Sequence, residues 1–140
     1  MTNCVFCKII NQQIPSYNVY EDEDFVAFLD ISQATYGHTL VVPKAHYATI
    51  LEIPEALLAQ AMILAKKIAI HQMNVLPGIQ GINLLNNSLE VAGQMVPHFH
   101  IHVIPRYKKD EMTIASHHPQ TPTKDAFLAL QQQLRLEAKK

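Results

Sequence analysis

Three histidines occupy every second position of one short segment, at His98, His100 and His102. Successive side chains of a β-strand point to opposite faces, so this spacing puts the three imidazoles on one face and the intervening apolar residues on the other. Crowded imidazoles disfavour one another's charged form, which keeps some of them neutral near pH 7. A neutral imidazole can attack phosphorus or bind a metal ion.

Two other interpretations of this row were weighed. A half-exposed strand that is rich in histidine by chance is disfavoured by the strict alternation and by the flanking Gly93-Gln94 and Pro105-Arg106. A metal site that uses all three histidines stays open, because imidazole is a common metal ligand.

A second motif is the pair Cys4-x-x-Cys7. Such a pair is a common half of a zinc site. A redox pair is one alternative, although no thioredoxin-like βαβ pattern surrounds it. Two unligated thiols are another.

The elements that must position these residues follow from hydrophobic spacing and from turn residues. We predict a short turn or helix at 4–10, strands at 17–21, 25–30, 39–42, 82–85 and 99–104, and helices at 54–73 and 124–138. The strands come mostly in pairs with tight turns, around one long helix and one terminal helix. This pattern favours an α+β fold with a mainly antiparallel five-stranded sheet over repeated βαβ units.

Bulk composition sets further limits. A chain of 140 residues that is 49% hydrophobic is expected to form one domain over 1–140. Its net charge of -1 argues against polymeric nucleic acid as a partner, but not against a small phosphorylated ligand. No apolar run approaches the ~20 residues that span a bilayer, and the first residues do not resemble a signal peptide. The sequence therefore predicts a cytoplasmic protein without membrane contact.

The histidine row and the blocks around it resemble the signature of the histidine-triad (HIT) nucleotide-binding proteins. The matching blocks are CVFCKI at 4–9, VYEDE at 19–23, FLDI at 28–31, GHTLVVPKAH at 37–46, AGQ at 92–94 and HFHIHVI at 98–104. They cover residues 4–106 in the order seen in bacterial and archaeal members with an N-terminal Cys-x-x-Cys. Residues 107–140 lack family motifs and are predicted to form a loop and a C-terminal helix.

The resemblance implies a nucleotide hydrolase that acts at an α-phosphate. His100 would attack phosphorus and form a nucleotidyl-histidine intermediate, which water would then hydrolyse. His102 would orient and polarise the site, His98 would complete the triad and His38 would lie close to it. The substrates implied are nucleoside phosphoramidates or (di)nucleoside polyphosphates. A nucleotidyl transferase and a nucleotide-binding module with vestigial catalysis are the alternatives.

The resemblance also implies a nucleotide-binding set. Asp30 would accept hydrogen bonds from the ribose hydroxyls, a task that suits a carboxylate because it is acceptor-only. Ile31 and Phe28 would form an apolar seat for the base. Asn87 would lie near the phosphates, and Gln94 would contact phosphate oxygens or the bridging atom.

Three further expectations come from the resemblance. Cys4, Cys7, His46 and His98 would form a closed structural zinc site. Two chains would form a homodimer in which their sheets join, with the long helix near the interface. Position 95 departs from the family pattern, because Ser or Thr often stands there and can donate a proton to the leaving group, whereas Met95 cannot.

Overall fold

Five antiparallel strands form one sheet in the computed structural model, which describes residues 3–109, 111–113 and 120–138. The strands are β1 (Asn18–Glu21), β2 (Phe25–Leu29), β3 (Thr39–Pro43), β4 (Gly81–Leu85) and β5 (Ile101–Arg106), in the order β1-β2-β3-β5-β4. The helices are α1 (Val5–Ile10), α2 (Glu55–Val75) and α3 (Lys124–Leu134). The predicted α+β fold, with its long and C-terminal helices, is confirmed.

Helix α2 covers one face of the sheet. Its small residue Ala65 is fully buried and lets the helix lie close to the strands. The same apolar cluster contains Val41 of β3, Ile101 and Val103 of β5, and Phe99 just before β5. Burying each of these larger side chains contributes roughly 1.5–3 kcal/mol. This packing fixes the face of the histidine segment that lies opposite the three imidazoles.

Helix α1 covers the opposite face. Phe6 of α1 packs in a cluster with Phe28 of β2 and with Leu40 and Val42 of β3. Val41, between the last two, belongs to the cluster under α2, as strand alternation requires. The centre of the sheet is therefore buried on both faces, and the histidines lie on the α1 side.

The strand near the histidines differs from its prediction. A strand was expected over 99–104, ending at Pro105, but β5 begins at Ile101 and continues through Pro105. Proline lacks the N–H that a central strand needs. Here the pairing of β3 with β5 ends at Val103, and the Pro105 carbonyl accepts a hydrogen bond from the Thr35 hydroxyl instead. The missing N–H therefore breaks no ladder bond.

Helix α3 is shorter than predicted and packs little. The Thr123 hydroxyl caps its start by accepting from the amide of Ala126 at 3.2 Å, and the helix ends at Leu134 rather than at residue 138. Its apolar residues Phe127 and Leu130 are both exposed. Over the described residues, no helix combines the length and hydrophobicity needed to cross a membrane. The joining of two sheets across a homodimer stays a prediction.

A tight turn at Gly37 leads into β3. Gly37 has a φ of +102°, a backbone conformation that residues with a side chain rarely adopt. Its carbonyl accepts a hydrogen bond from the side-chain amide of Gln72 in α2 at 3.1 Å. A Cβ atom here would lie 2.9 Å from Cδ1 of Leu76 and 3.3 Å from Cγ of Pro105. The turn thus fixes the start of β3 and the position of His38 beside it.

We expect Gly37→Ala to lower the free energy of unfolding by about 1–3 kcal/mol from backbone strain alone, with a further loss from crowding that a shift of Leu76 relieves only in part. Urea unfolding measures the change. Gly78→Ala is the matched control, since Gly78 has φ +80° but open space around its Cβ position. Equal losses in the two variants would show that the close approach at Gly37 has no energetic effect.

Candidate functional site

The three triad histidines lie on one side of the sheet and are largely removed from solvent. His98 is 0% and His100 is 6% exposed, while His102 is partly buried. Burial, with a smaller contribution from neighbouring histidines, lowers the pKa of both His98 and His102 to about 4. Burial also lowers the pKa of His100. The imidazoles are therefore neutral at pH 7, as the sequence predicts for a crowded row.

His98 is held by both of its ring nitrogens. Its Nε2 lies 2.8 Å from the carbonyl oxygen of Pro43, which can only accept, so Nε2 carries the hydrogen. The bare Nδ1 faces Cys4 Sγ at 3.4 Å, Cys7 Sγ at 3.6 Å and His46 Nδ1 at 3.1 Å. In metal-binding histidines one ring nitrogen commonly binds the metal while the other donates its N–H to a carbonyl or carboxylate. His98 has this arrangement, with Nε2–H on Pro43 and Nδ1 directed at the cysteines.

Cys4, Cys7, His46 and His98 form a compact donor cluster that could hold a metal ion. Cys7 Sγ is 3.3 Å from His46 Nδ1, and the Cys7 amide donates to Cys4 Sγ at 3.4 Å. Tetrahedral zinc with sulfur and nitrogen ligands separates neighbouring donors by about 3.3–3.8 Å. The sulfur–nitrogen distances of 3.3–3.6 Å lie within this range, the nitrogen–nitrogen distance of 3.1 Å lies slightly below it, and the donor types suit zinc. The cysteines are free thiols, and burial raises the pKa of the Cys7 thiol, as does the neighbouring Cys4.

His100 has the opposite ring orientation. Its Nδ1 lies 2.7 Å from the carbonyl oxygen of His98 and must donate to it. The Asn86 side chain donates to the carbonyl of His100 at 2.8 Å and holds the backbone just before β5. The neutral ring therefore keeps its lone pair on Nε2. A lone pair in this position is what a nucleophilic imidazole requires.

A second hydrogen-bond chain determines the state of His102. The Ala34 amide donates to Nδ1 of His38 at 3.2 Å, so the neutral His38 ring carries its hydrogen on Nε2. That Nε2 lies 2.9 Å from Nδ1 of His102 and donates to it. His102 in turn keeps its hydrogen on Nε2. Asp30 Oδ2 is 3.7 Å from His38 Nε2 and partly offsets the burial that lowers the pKa of His38.

The ligand atoms of Asp30, His38 and His102 also lie close enough together to hold a metal ion. The hydrogen bonds from Ala34 to His38 and from His38 to His102 argue against one there. His38 could offer Nε2 to a metal only by losing its remaining hydrogen, because Nδ1 already accepts from a backbone amide. The alternative of one metal held by the whole triad is not supported either. His98 points to the cysteines, whereas His100 and His102 line a cavity.

That cavity has a volume of about 430 Å³, within the range of small-molecule sites. Its lining includes six residues of the predicted site: Phe28, Asp30, Ile31, Asn87, His100 and His102. Phe28 is buried in its wall, whereas Ile31 is 88% exposed at its rim. One carboxylate oxygen of Asp30 accepts from the Ser32 amide at 2.8 Å, and Oδ2 accepts no hydrogen bond from the described residues.

Gln94, His38 and His98 do not line this cavity. Both ends of the Gln94 amide are engaged, since Oε1 accepts from the Leu89 amide at 2.8 Å and Nε2 donates to the Ala48 carbonyl at 2.7 Å. These bonds use one of the two N–H groups on Nε2, so a phosphate contact by the second would not have to replace either of them. Gln94 thus joins the loop at Leu89 to the loop at Ala48 through hydrogen bonds.

One wall of the cavity was not predicted from the sequence. Val5, Phe6 and Ile9 of α1 line it, together with Ile14. The sequence signal for this wall is the apolar run around the two cysteines, whereas the Cys-x-x-Cys motif by itself points only to the thiols. Met95 also lines the cavity and is 89% exposed. Its thioether has no hydrogen to donate there.

Comparison with known proteins agrees with this geometry. The HIT domain family model matches residues 11–109. Protein hit of Bacillus subtilis is 51% identical over 109 residues, which span 78% of this chain and 74% of that protein. HNT1 of Saccharomyces cerevisiae, named adenosine 5'-monophosphoramidase, is 41% identical over 108 residues, which span 77% of this chain and 64% of that protein.

Solved structures extend the likeness to the whole fold. A crystal structure of a HIT family member from Bacillus subtilis has a TM-score of 0.81 at 42% identity and covers 98% of this chain and 99% of that one. A structure described as a Zn-bound histidine triad family protein, from Mycobacterium smegmatis, has a TM-score of 0.76 at 31% identity and covers 96% and 99%. The matched family model, these relatives and the shared fold show that the chain belongs to the HIT family, with an N-terminal Cys-x-x-Cys.

Proposed function

We propose that the chain is a nucleotide-binding hydrolase that acts at the α-phosphate of nucleoside phosphoramidates or (di)nucleoside polyphosphates. The observation that carries the proposal is the bare Nε2 of His100, a neutral imidazole fixed by the His98 carbonyl and placed in the wall of the cavity. The name of the yeast relative HNT1, adenosine 5'-monophosphoramidase, agrees with this substrate class.

The cavity supplies a seat for the nucleoside half of the substrate. Phe28 and Ile31, with the apolar wall of α1, offer a surface on which a base can pack. Asp30 also lines the cavity, with Oδ2 3.7 Å from Nε2 of His38, and this oxygen can accept from a ribose hydroxyl. Asn87 lines the same cavity and can donate to a phosphate oxygen. This arrangement directs the α-phosphate toward His100.

The reaction proceeds in two displacements. The lone pair on Nε2 of His100 forms a bond to phosphorus while the bond from phosphorus to the leaving group breaks. The Nδ1–H of His100 stays bonded to the His98 carbonyl, which stabilises the positive charge that forms on the ring. A water molecule then attacks phosphorus and loses a proton to solvent, which balances the proton taken up by the leaving group. The bond between phosphorus and Nε2 of His100 breaks, and His100 is regenerated with release of the nucleoside monophosphate.

The Nε2–H of His102 donates a hydrogen bond to the leaving group or to a phosphate oxygen, and the neutral ring keeps this hydrogen while the leaving group takes up its proton from solvent. His38 fixes that hydrogen in place, because its own Nε2–H occupies Nδ1 of His102. Met95 cannot donate. His102, whose ring centroid lies 4.8 Å from that of His100 in the cavity wall, takes the role of donor next to the nucleophile. Substrates with a poor leaving group depend most on this donor, so they test the arrangement most severely. A nucleotide-binding module with vestigial catalysis would not turn over such substrates.

We also propose that Cys4, Cys7, His46 and His98 hold a structural zinc ion. The proposal is supported by the donor spacing, by the soft thiolate and imidazole ligands and by the orienting bond from His98 to Pro43. The Zn-bound relative from Mycobacterium smegmatis agrees with it. When bound, zinc supplies a cross-link between the N-terminal segment and the residues that precede β5.

Replacing His100 should abolish turnover while leaving nucleotide binding intact. We expect His100→Ala to reduce release of AMP from an adenosine phosphoramidate by at least about a thousandfold, because the nucleophile is lost. Acid quenching during the first turnover should trap a nucleotidyl adduct on the wild-type protein and none on the variant. His71→Ala is the matched control, since His71 lies on α2 away from this cavity.

Other outcomes separate the alternatives. An adduct that persists until a second acceptor is added would favour a nucleotidyl transferase. Equal nucleotide binding by both proteins, with no adduct and no product from phosphoramidates or dinucleoside polyphosphates, would contradict the hydrolase and favour a binding module.

Zinc should bind once per chain and stabilise the fold. At a free concentration 100 times the dissociation constant, it should raise the free energy of unfolding by about 2.7 kcal/mol. His46→Ala should weaken zinc binding and remove most of this gain, whereas His71→Ala should leave both unchanged. Elemental analysis and urea unfolding with and without a chelator measure the two effects. Undiminished zinc binding in His46→Ala would overturn the assigned ligand set.

A further inference from the structure

Helix α1 lies between the donor cluster and the nucleotide cavity. Its N-cap residue Cys4 and its member Cys7 face the donor cluster. Phe6 and Ile9, on the same helix, line the cavity. A motion of this helix therefore changes both places at once.

The ring of Phe6 touches a residue of each place. Its centroid lies 5.9 Å from that of His98, 5.0 Å from that of His100 and 5.4 Å from that of Phe28, with edge-to-face angles of 66°, 83° and 77°. His98 belongs to the donor cluster, His100 to the reactive end of the cavity and Phe28 to its apolar wall. Edge-to-face contacts between aromatic rings are favourable, and they depend on the position of the ring.

The helix cannot hold this position by its own stability. It spans six residues, far fewer than the ~12–15 that an isolated helix needs. Its order comes from the packing of Phe6 on the sheet and from the anchoring of the two cysteines. A cation shared by Cys4, Cys7, His46 and His98 would join the helix to the loop after β3 and to the segment before β5.

We propose that metal occupancy of the Cys4, Cys7, His46 and His98 site and nucleotide binding in the cavity are thermodynamically coupled through α1, with Phe6 as the positioning residue that links them. The proposal rests on the proposed function in two respects, since the cavity must bind a nucleotide and the four residues must bind a metal ion. The metal orders α1, and the ordered helix presents Phe6 to the base wall and to His100. A nucleotide that packs against the ordered helix stabilises the arrangement that the metal prefers.

Coupling of this kind must be reciprocal. If zinc tightens AMP binding by some factor, AMP must tighten zinc binding by the same factor. Coupling between sites in proteins is commonly about 5–150-fold. We expect a factor of at least about 5, since the shared element is one helix that forms a wall of the cavity.

The test measures both arms of this cycle on the full chain. Calorimetry gives the dissociation constant of AMP for zinc-loaded and for chelator-stripped protein. Competition with a chromophoric chelator, at zinc levels buffered by that chelator, gives zinc affinity with and without saturating AMP. Far-UV circular dichroism of the stripped protein shows whether the fold persists without metal.

Two variants locate the link. Phe6→Leu keeps an apolar side chain of similar bulk but removes the ring edge, and should bring the coupling factor close to 1 in both arms. Ile9→Ala also removes a cavity contact from α1, so it should weaken AMP binding yet retain the factor. If the stripped protein unfolds, the comparison of Phe6→Leu with wild type in the zinc-affinity arm still decides the question.

The outcomes are distinguishable. Reciprocal factors of at least about 5 that collapse in Phe6→Leu alone would support the proposal. AMP binding of equal strength to loaded and stripped protein would overturn the coupling and leave the proposed function standing. An undiminished factor in Phe6→Leu would overturn the role of Phe6. Failure of AMP and of dinucleoside polyphosphates to bind under any condition would overturn both the proposed function and the coupling.

Discussion

His98 is held at both ring nitrogens and at its carbonyl oxygen, and the arrangement of the site depends on these contacts. Its Nε2–H donates to Pro43, which turns the bare Nδ1 toward Cys4 and Cys7. Its carbonyl accepts from Nδ1 of His100 and leaves the lone pair of that ring on Nε2. Because His98 is fully buried, leaving any of these polar atoms unpaired would cost about 1–3 kcal/mol. One residue thus orients both the donor cluster and the ring beside the cavity.

The two faces of the sheet divide the structural work. The α2 face is mainly apolar and packs tightly against the histidine segment, and its buried Gln72 adds hydrogen bonds to the carbonyls of Gly37 and Val103. The α1 face carries the polar groups, and each of His38, His98 and His100 meets a backbone partner there. Burial on this face keeps the imidazoles neutral, so hydrogen-bond partners rather than charges determine which nitrogen carries each hydrogen.

Local patterns in the sequence predict part of this arrangement. Strand alternation predicts that the histidines share one face, and the family motifs lead to the residues that line the cavity, among them Asp30. Backbone partners contributed by distant segments have no local signal: the Pro43 carbonyl and the Ala34 amide set ring orientations that spacing cannot reveal. The wall formed by Phe6 has a local signal in the apolar run around the cysteines, but only the folded chain brings α1 against the histidines.

The most direct test of the arrangement is the tautomeric state of His100. Long-range ¹H–¹⁵N correlation spectra of protein labelled with ¹⁵N-histidine, assigned by comparison with His100→Gln, report which ring nitrogens carry hydrogen. Near neutral pH we expect a neutral His100 ring with hydrogen on Nδ1 and a bare Nε2. A ring with hydrogen on Nε2 and a bare Nδ1, or a ring protonated at both nitrogens, would contradict the assignment of His100 as a nucleophile oriented by His98.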